Sequence, residues 1–116
     1  MDIAICDFGA AGKKVTLTGK LDIVGAQTIE LPLATLAGTR SSIVIDMGGV
    51  DFIASIGIRQ LVMAAKAVAR GAGRLVLLDP TPLVTDVLVT SGLQDLLPIV
   101  RSEDEARAAL SRPAGA

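Results

Sequence analysis

Apolar and polar residues first alternate, then recur at helical spacing, and the switch repeats along the chain. "IAICDF", residues 3–8, predicts a first strand and "KKVTLTGKL", residues 13–21, a second. Val15, Leu17 and Gly19 alternate with Thr16 and Thr18, the period of two expected of a half-buried strand. "GAAG", residues 9–12, reads as the turn between them. Helical spacing begins after Asp22, where Ile29, Leu33 and Leu36 share one face and Gly38 is a stop. Pro32 interrupts this stretch, because an interior proline loses a hydrogen bond and clashes with the preceding turn. The helix is therefore expected to be kinked, or to start its regular part close to Pro32.

"SSIVIDM", residues 41–47, is a nearly continuous β-branched run suited to a strand buried on both faces, and "GGVDFIA", residues 48–54, reads as the loop after it. Ser55 then leads into a stripe of Ile58, Leu61, Val62, Ala65, Val68 and Ala69, an amphipathic helix closed by Gly71. "RLVLLD", residues 74–79, is a short buried strand. Thr81 as N-cap and Pro82 at the first helical position open the next helix, which Gly92 ends. "LLPIV", residues 96–100, reads as an edge strand, where Pro98 is tolerated. Ser102 and Glu105 form the S-x-x-E capping box of a last helix.

The predicted order is ββαβαβαβα, an α/β domain with an open, mostly parallel sheet and helices packed against it. One domain over residues 1–112 is expected, with residues 113–116 a disordered tail. In such sheets functional sites collect at the carboxyl ends of the strands. Asp22, Asp46, Asp51, Asp79 and Ser55 all fall near predicted strand ends there.

Composition narrows the chemistry. Of 116 residues 51% are hydrophobic, which excludes disorder as the default state. Only Phe8 and Phe52 are aromatic and the net charge is −1, so neither base stacking nor phosphate neutralisation supports a nucleic-acid partner. The chain has no histidine, which removes His-containing zinc sites and Ser–His–Asp and Cys–His catalysis together. Cys6, the single cysteine, is expected to be a buried small hydrophobe. No basic leader precedes an apolar run at the N-terminus, and no stretch reaches the ~18 apolar residues of a membrane span. A soluble cytoplasmic protein without cofactor, metal or direct membrane insertion is the expectation.

Three readings of Ser55 compete. A serine before an amphipathic helix is an ordinary N-cap. As a hydrolase nucleophile it has half of the G-x-S-x-G elbow, with Ile53 in the place of the first glycine, and no base. As a regulated switch it needs only its position, since a phosphate at a helix N-terminus meets free N–H groups and the positive end of the dipole. The phosphate would add about −1.5 to −2 charges to an apolar surface around Ile53, Ala54 and Ile56. The Gly9–Lys14 segment lacks the spacing of a phosphate loop.

"LTGKLD", "IVIDMGGVDFIASIGIRQLV" and "GRLVLLDPTPLVTDVLVTSGLQDLLPIVRSEDEARAAL" together resemble the STAS-domain family, in particular its stand-alone bacterial anti-sigma factor antagonists. The resemblance implies a small STAS-like domain with no catalytic activity of its own. It implies partner switching: the unmodified antagonist binds an anti-sigma factor that is also a serine kinase, phosphorylation releases it, and a phosphatase restores it. The family's modified serine falls on Ser55. The partner-binding surface falls on Asp22, Asp51, Ile53, Ala54, Ile56, Gly57 and Arg59. Ala54 replaces the family's aspartate before the serine, and Ile56 its second hydroxyl residue. That departure keeps two other readings open: an accessory subunit of an ABC-type lipid transport complex, and a non-phosphorylated signalling scaffold. Oligomeric state is left open.

Overall fold

The computed structural model describes residues 1–9, 12–39 and 41–111. The expected turn residues Ala10 and Ala11 and the expected tail at 113–116 lie outside the described residues. Strands β1 (Asp2–Phe8) and β2 (Gly12–Leu21) lead into helix α1 (Ile23–Ala37). Strand β3 (Ser42–Ile53), helix α2 (Ser55–Arg70), strand β4 (Leu75–Leu78) and helix α3 (Pro82–Thr90) follow, and β5 (Ile99–Val100) and α4 (Glu103–Leu110) close the order. The sheet runs β1-β2-β3-β4-β5, antiparallel between β1 and β2 and parallel elsewhere. This is the predicted ββαβαβαβα architecture.

One sheet face carries the main core, where Val15, Leu17, Leu21, Ile43, Ile45 and Met47 meet Ile29 and Leu33 of α1, Leu61 of α2 and Val84 and Leu88 of α3. The other face is covered over Val44, Val76, Leu78 and Val100 by α4 through Ala106. β1 is an edge strand and most of it is exposed, Cys6 included. The expectation of a buried cysteine fails because apolar neighbours in sequence do not bury a residue on the outermost strand of the sheet. On the same strand Asp7 pairs with Lys13, whose ammonium holds the exposed carboxyl below its usual range.

The larger correction concerns residues 48–53. They are strand, not loop, and β3 continues beside β2 beyond Asp46, which already pairs with the last residue of β4, Leu78. Two register shifts, between Thr16 and Thr18 and between Gly19 and Lys20, each place an extra β3 residue opposite β2. Each bulge turns the strand by one residue, so Met47, Val50 and Ile53 all face the core and a period of three replaces the period of two. At the first bulge the Gly48 N–H donates to Asp46 Oδ1 at 3.0 Å. On the side that β4 no longer covers, the Thr81 hydroxyl donates to the Val50 carbonyl at 3.3 Å while accepting from the Val84 N–H at 3.4 Å, so one residue caps α3 and holds β3.

Helix α1 runs through Pro32 and starts well before it, at Ile23, capped by Asp22. Burial of Ile29, Leu33 and Leu36 on one stripe holds this helix across the missing bond. Thr81 and Ser102 cap α3 and α4 as expected. In α4 the Glu105 carboxylate reaches the Arg101 N–H at 3.4 Å.

Candidate functional site

The β2–β3 ribbon ends at the paired residues Leu21 and Ile53, and both following helices start there. Their first turns are built alike. Asp22 is the N-cap of α1, its Oδ1 accepting from the Gly25 N–H at 2.9 Å. Ala54 is the N-cap of α2, anchored by its own N–H to the Leu21 carbonyl at 2.9 Å, and it has no side-chain oxygen to offer. Each cap is followed three residues later by a glycine pressed on β2. A Cβ on Gly25 would lie 2.3 Å from the Lys20 carbonyl oxygen, and one on Gly57 would lie 2.6 Å from Leu21 Cγ.

Ser55 is therefore not the cap but the first helical residue, and the expected cap role is corrected. Its side chain makes no hydrogen bond among the described residues, and the residue is exposed. The first intrahelical bond runs from the Ile58 N–H to the Ala54 carbonyl at 3.1 Å. The amides of Ser55, Ile56 and Gly57 precede it, and the helix offers them no acceptor. The result is a free hydroxyl beside open donors at the positive end of a helix of 16 residues.

Around it the surface is apolar. Phe52 is 44% and Ile56 39% exposed, and Ile23 and Val24 in the first turn of α1 are exposed as well. Asp51, on the bulge before Phe52, is exposed, as is Arg59 one turn into α2. Ile53 and Gly57 are buried, so these two expected contact residues shape the site from below instead of lining it. Phe52 was missed by sequence reasoning. Its signal was present, an aromatic residue in a chain with only one other, but a loop assignment hid which way it points.

The four carboxylates separate into two groups. Asp22 and Asp51 belong to the Ser55 end of the ribbon. Asp46 and Asp79 sit lower, where β4 stops: Asp46 lies 3.8 Å from Lys14 Nζ, and Asp79 accepts from Arg101 at 3.2 Å. Among the described residues no three His, Cys, Asp or Glu side chains come together as a metal site. No helix is long and apolar enough to cross a membrane.

The five-stranded, mostly parallel sheet with its four helices is the fold of anti-sigma factor antagonists of known structure. One such antagonist, from Mycobacterium paratuberculosis, superposes with a TM-score of 0.85 at 20% identity, over 96% of this chain and 94% of that one. SpoIIAA in its unphosphorylated form gives 0.78 at 21% identity, over 93% of this chain and 96% of that one. The Bacillus cell fate determinant SpoIIAA in its phosphorylated form gives 0.73 at 20% identity, over 93% and 99%. In sequence, the "Putative anti-sigma factor antagonist BtrV" of Bordetella bronchiseptica is 34% identical over 95 residues, 80% of this chain and 81% of its own. Residues 11–106 match the STAS domain family, and the chain belongs to it.

Proposed function

We propose that this protein is an anti-sigma factor antagonist that works by partner switching, with Ser55 as the modified residue. The observation that carries the reading is the Ser55 hydroxyl, exposed and unbonded at the open N-terminus of α2 within an apolar rim. Unmodified, Phe52, Ile56, Ile23 and Val24 offer a dry contact surface to an anti-sigma factor that is also a serine kinase, with Asp22, Asp51, Ala54 and Arg59 around it. Phosphorylation places charge in the middle of that surface, and the cost of burying it releases the partner. The open amides of α2 hold the phosphate without unfolding the domain. A phosphatase then resets the protein, and the cycle runs in the cytoplasm. Support comes from a 34% identical relative named as an antagonist and from a phosphorylated structure of the same fold.

Incubation with the cognate kinase and ATP should add one phosphate, detected as a single mass shift that Ser55→Ala abolishes. Ser55→Asp should weaken binding to the anti-sigma factor. A phosphate that persists in Ser55→Ala, or no shift at all, overturns the assignment. Ala54 favours a second reading, an accessory subunit of an ABC-type lipid transporter that docks without phosphorylation. Co-purification with an ABC ATPase, indifferent to Ser55→Asp, would support it.

A further inference from the structure

Away from the Ser55 end, α1 and α2 lie side by side and enclose a groove of about 450 Å³. Its walls are small and apolar, with Ala34 and Ala37 from α1 facing Met63, Ala64 and Ala67 from α2. Small side chains leave the channel open, and half-exposed Met63 gives it one adaptable apolar contact. Ile23 and Ile56 continue the same helix stripes towards Ser55, since residues seven apart share a helix face. From Gln60 to Arg70 the channel is roughly 15 Å long at about 1.5 Å per residue, close to three helical turns.

Its charge is one-sided. Helix α2 contains Arg59, Lys66 and Arg70 and no acidic residue. With Met63 they fall on one stripe of α2, of which Met63 and Arg70 line the groove. Lys13, Lys14, Arg101 and Arg107 each pair with a carboxylate, whereas among the described residues Arg59, Lys66 and Arg70 pair with none. On the opposite wall α1 offers one charge, Glu30. Three unpaired cations thus border an apolar channel in a chain whose net charge is −1.

We propose that this groove binds an amphipathic helix of a partner protein whose acidic flank lies against α2. The apolar ridge of that helix fills the channel between the alanines, and its carboxylates meet Arg59, Lys66 and Arg70. Glu30 disfavours the reversed orientation, because it would face the same acidic flank. A concave channel without tryptophan or tyrosine suits a helix ridge better than a membrane, which calls for protruding aromatic and leucine anchors. A nucleic acid would meet neither stacking surfaces nor charge on both walls. The groove meets the Ser55 site only at Arg59, and the proposal does not depend on the antagonist reading.

The test uses the full chain, isotope-labelled for NMR, and a synthetic 18-residue amphipathic helical peptide with glutamate flanks. Controls are its lysine-flanked counterpart, phosphatidylglycerol vesicles and a single-stranded 20-mer DNA. The acidic peptide should shift the amides of Gln60, Met63, Ala67 and Ala34 and bind at least tenfold tighter than the basic one. The triple variant R59E/K66E/R70E should invert that preference. Ala67→Gln, which fills the channel with a neutral helix-favouring side chain, should weaken binding severalfold with unchanged circular dichroism. Ser55→Asp should leave binding unchanged. Equal affinity for both peptides, a preference that survives the triple reversal, shifts confined to residues 52–57, or binding to vesicles or DNA alone would each overturn the proposal.

Discussion

Gly57 lies so close to Leu21 that no side chain fits between them: a Cβ there would sit 2.6 Å from Leu21 Cγ and 2.8 Å from the Leu21 carbonyl oxygen. The backbone of α2 rests directly on the end of β2, which fixes where Ser55 stands relative to Asp22 and Phe52. In an exposed helix, glycine to alanine stabilises by roughly 0.5–1 kcal/mol. Here overpacking wins, because one of the colliding atoms is backbone that can yield only if the ribbon shifts. Gly57→Ala is expected to destabilise by about 1–3 kcal/mol in urea unfolding. A variant at least as stable as the parent would show that α2 is not seated on Leu21.

Ser55→Ala should leave stability within about 0.5 kcal/mol of the parent, since the hydroxyl makes no hydrogen bond among the described residues. A serine acting as cap would cost about 1 kcal/mol when removed. The same urea experiment separates the two, and a loss of that size would restore the cap role.

The difference between those roles shows where the sequence could be read and where it could not. Thr81 and Ser102 were legible as caps because each precedes its helix by one residue and the next turn repeats the pattern. Ser55 carried the same signal one residue too far along the chain. The true cap position holds Ala54, a residue with no capping preference, so nothing in the local chemistry marked it. Residues 48–53 were illegible for a related reason. Two bulges convert the expected alternation into Met47, Val50, Ile53, a spacing that fits neither a regular strand nor a helix. Bulges depend on the partner strand, and that information is not local. The order of strands and helices along the chain, helix stops at Gly38, Gly71 and Gly92, and the gathering of Asp22, Asp51 and Ser55 at one sheet end rest on periodicity and turn chemistry, and these were legible.

Thr81 joins two elements through one hydroxyl. Thr81→Ala removes both the α3 cap and the hydrogen bond to the Val50 carbonyl, and should cost about 1–2 kcal/mol. Amide exchange should accelerate in residues 48–53 more than in the β1–β2 pair, because the bulged segment has lost its hold on the α3 side. Thr81→Ser, which keeps the oxygen, should recover most of the loss. Uniform acceleration across the sheet would mean that Thr81 contributes only to α3.

Ala54 sets the last comparison. Asp22 shows what a carboxylate does in the matching place, where it accepts from the N–H three residues on at 2.9 Å. Ala54→Asp should let a new carboxylate accept from Gly57 in the same way, raising stability by about 1 kcal/mol through the cap and the helix dipole. That carboxylate would also occupy the donors left open in the parent. Phosphorylation of Ser55 should therefore stabilise the parent more than it stabilises Ala54→Asp, because in the variant the phosphate competes with a neighbouring negative charge for the same amides. Thermal melts of both proteins, with and without the phosphate, give four midpoints. An equal gain on phosphorylation in the two backgrounds would mean that the phosphate does not use the amides at the start of α2, and that position 54 acts only on the partner.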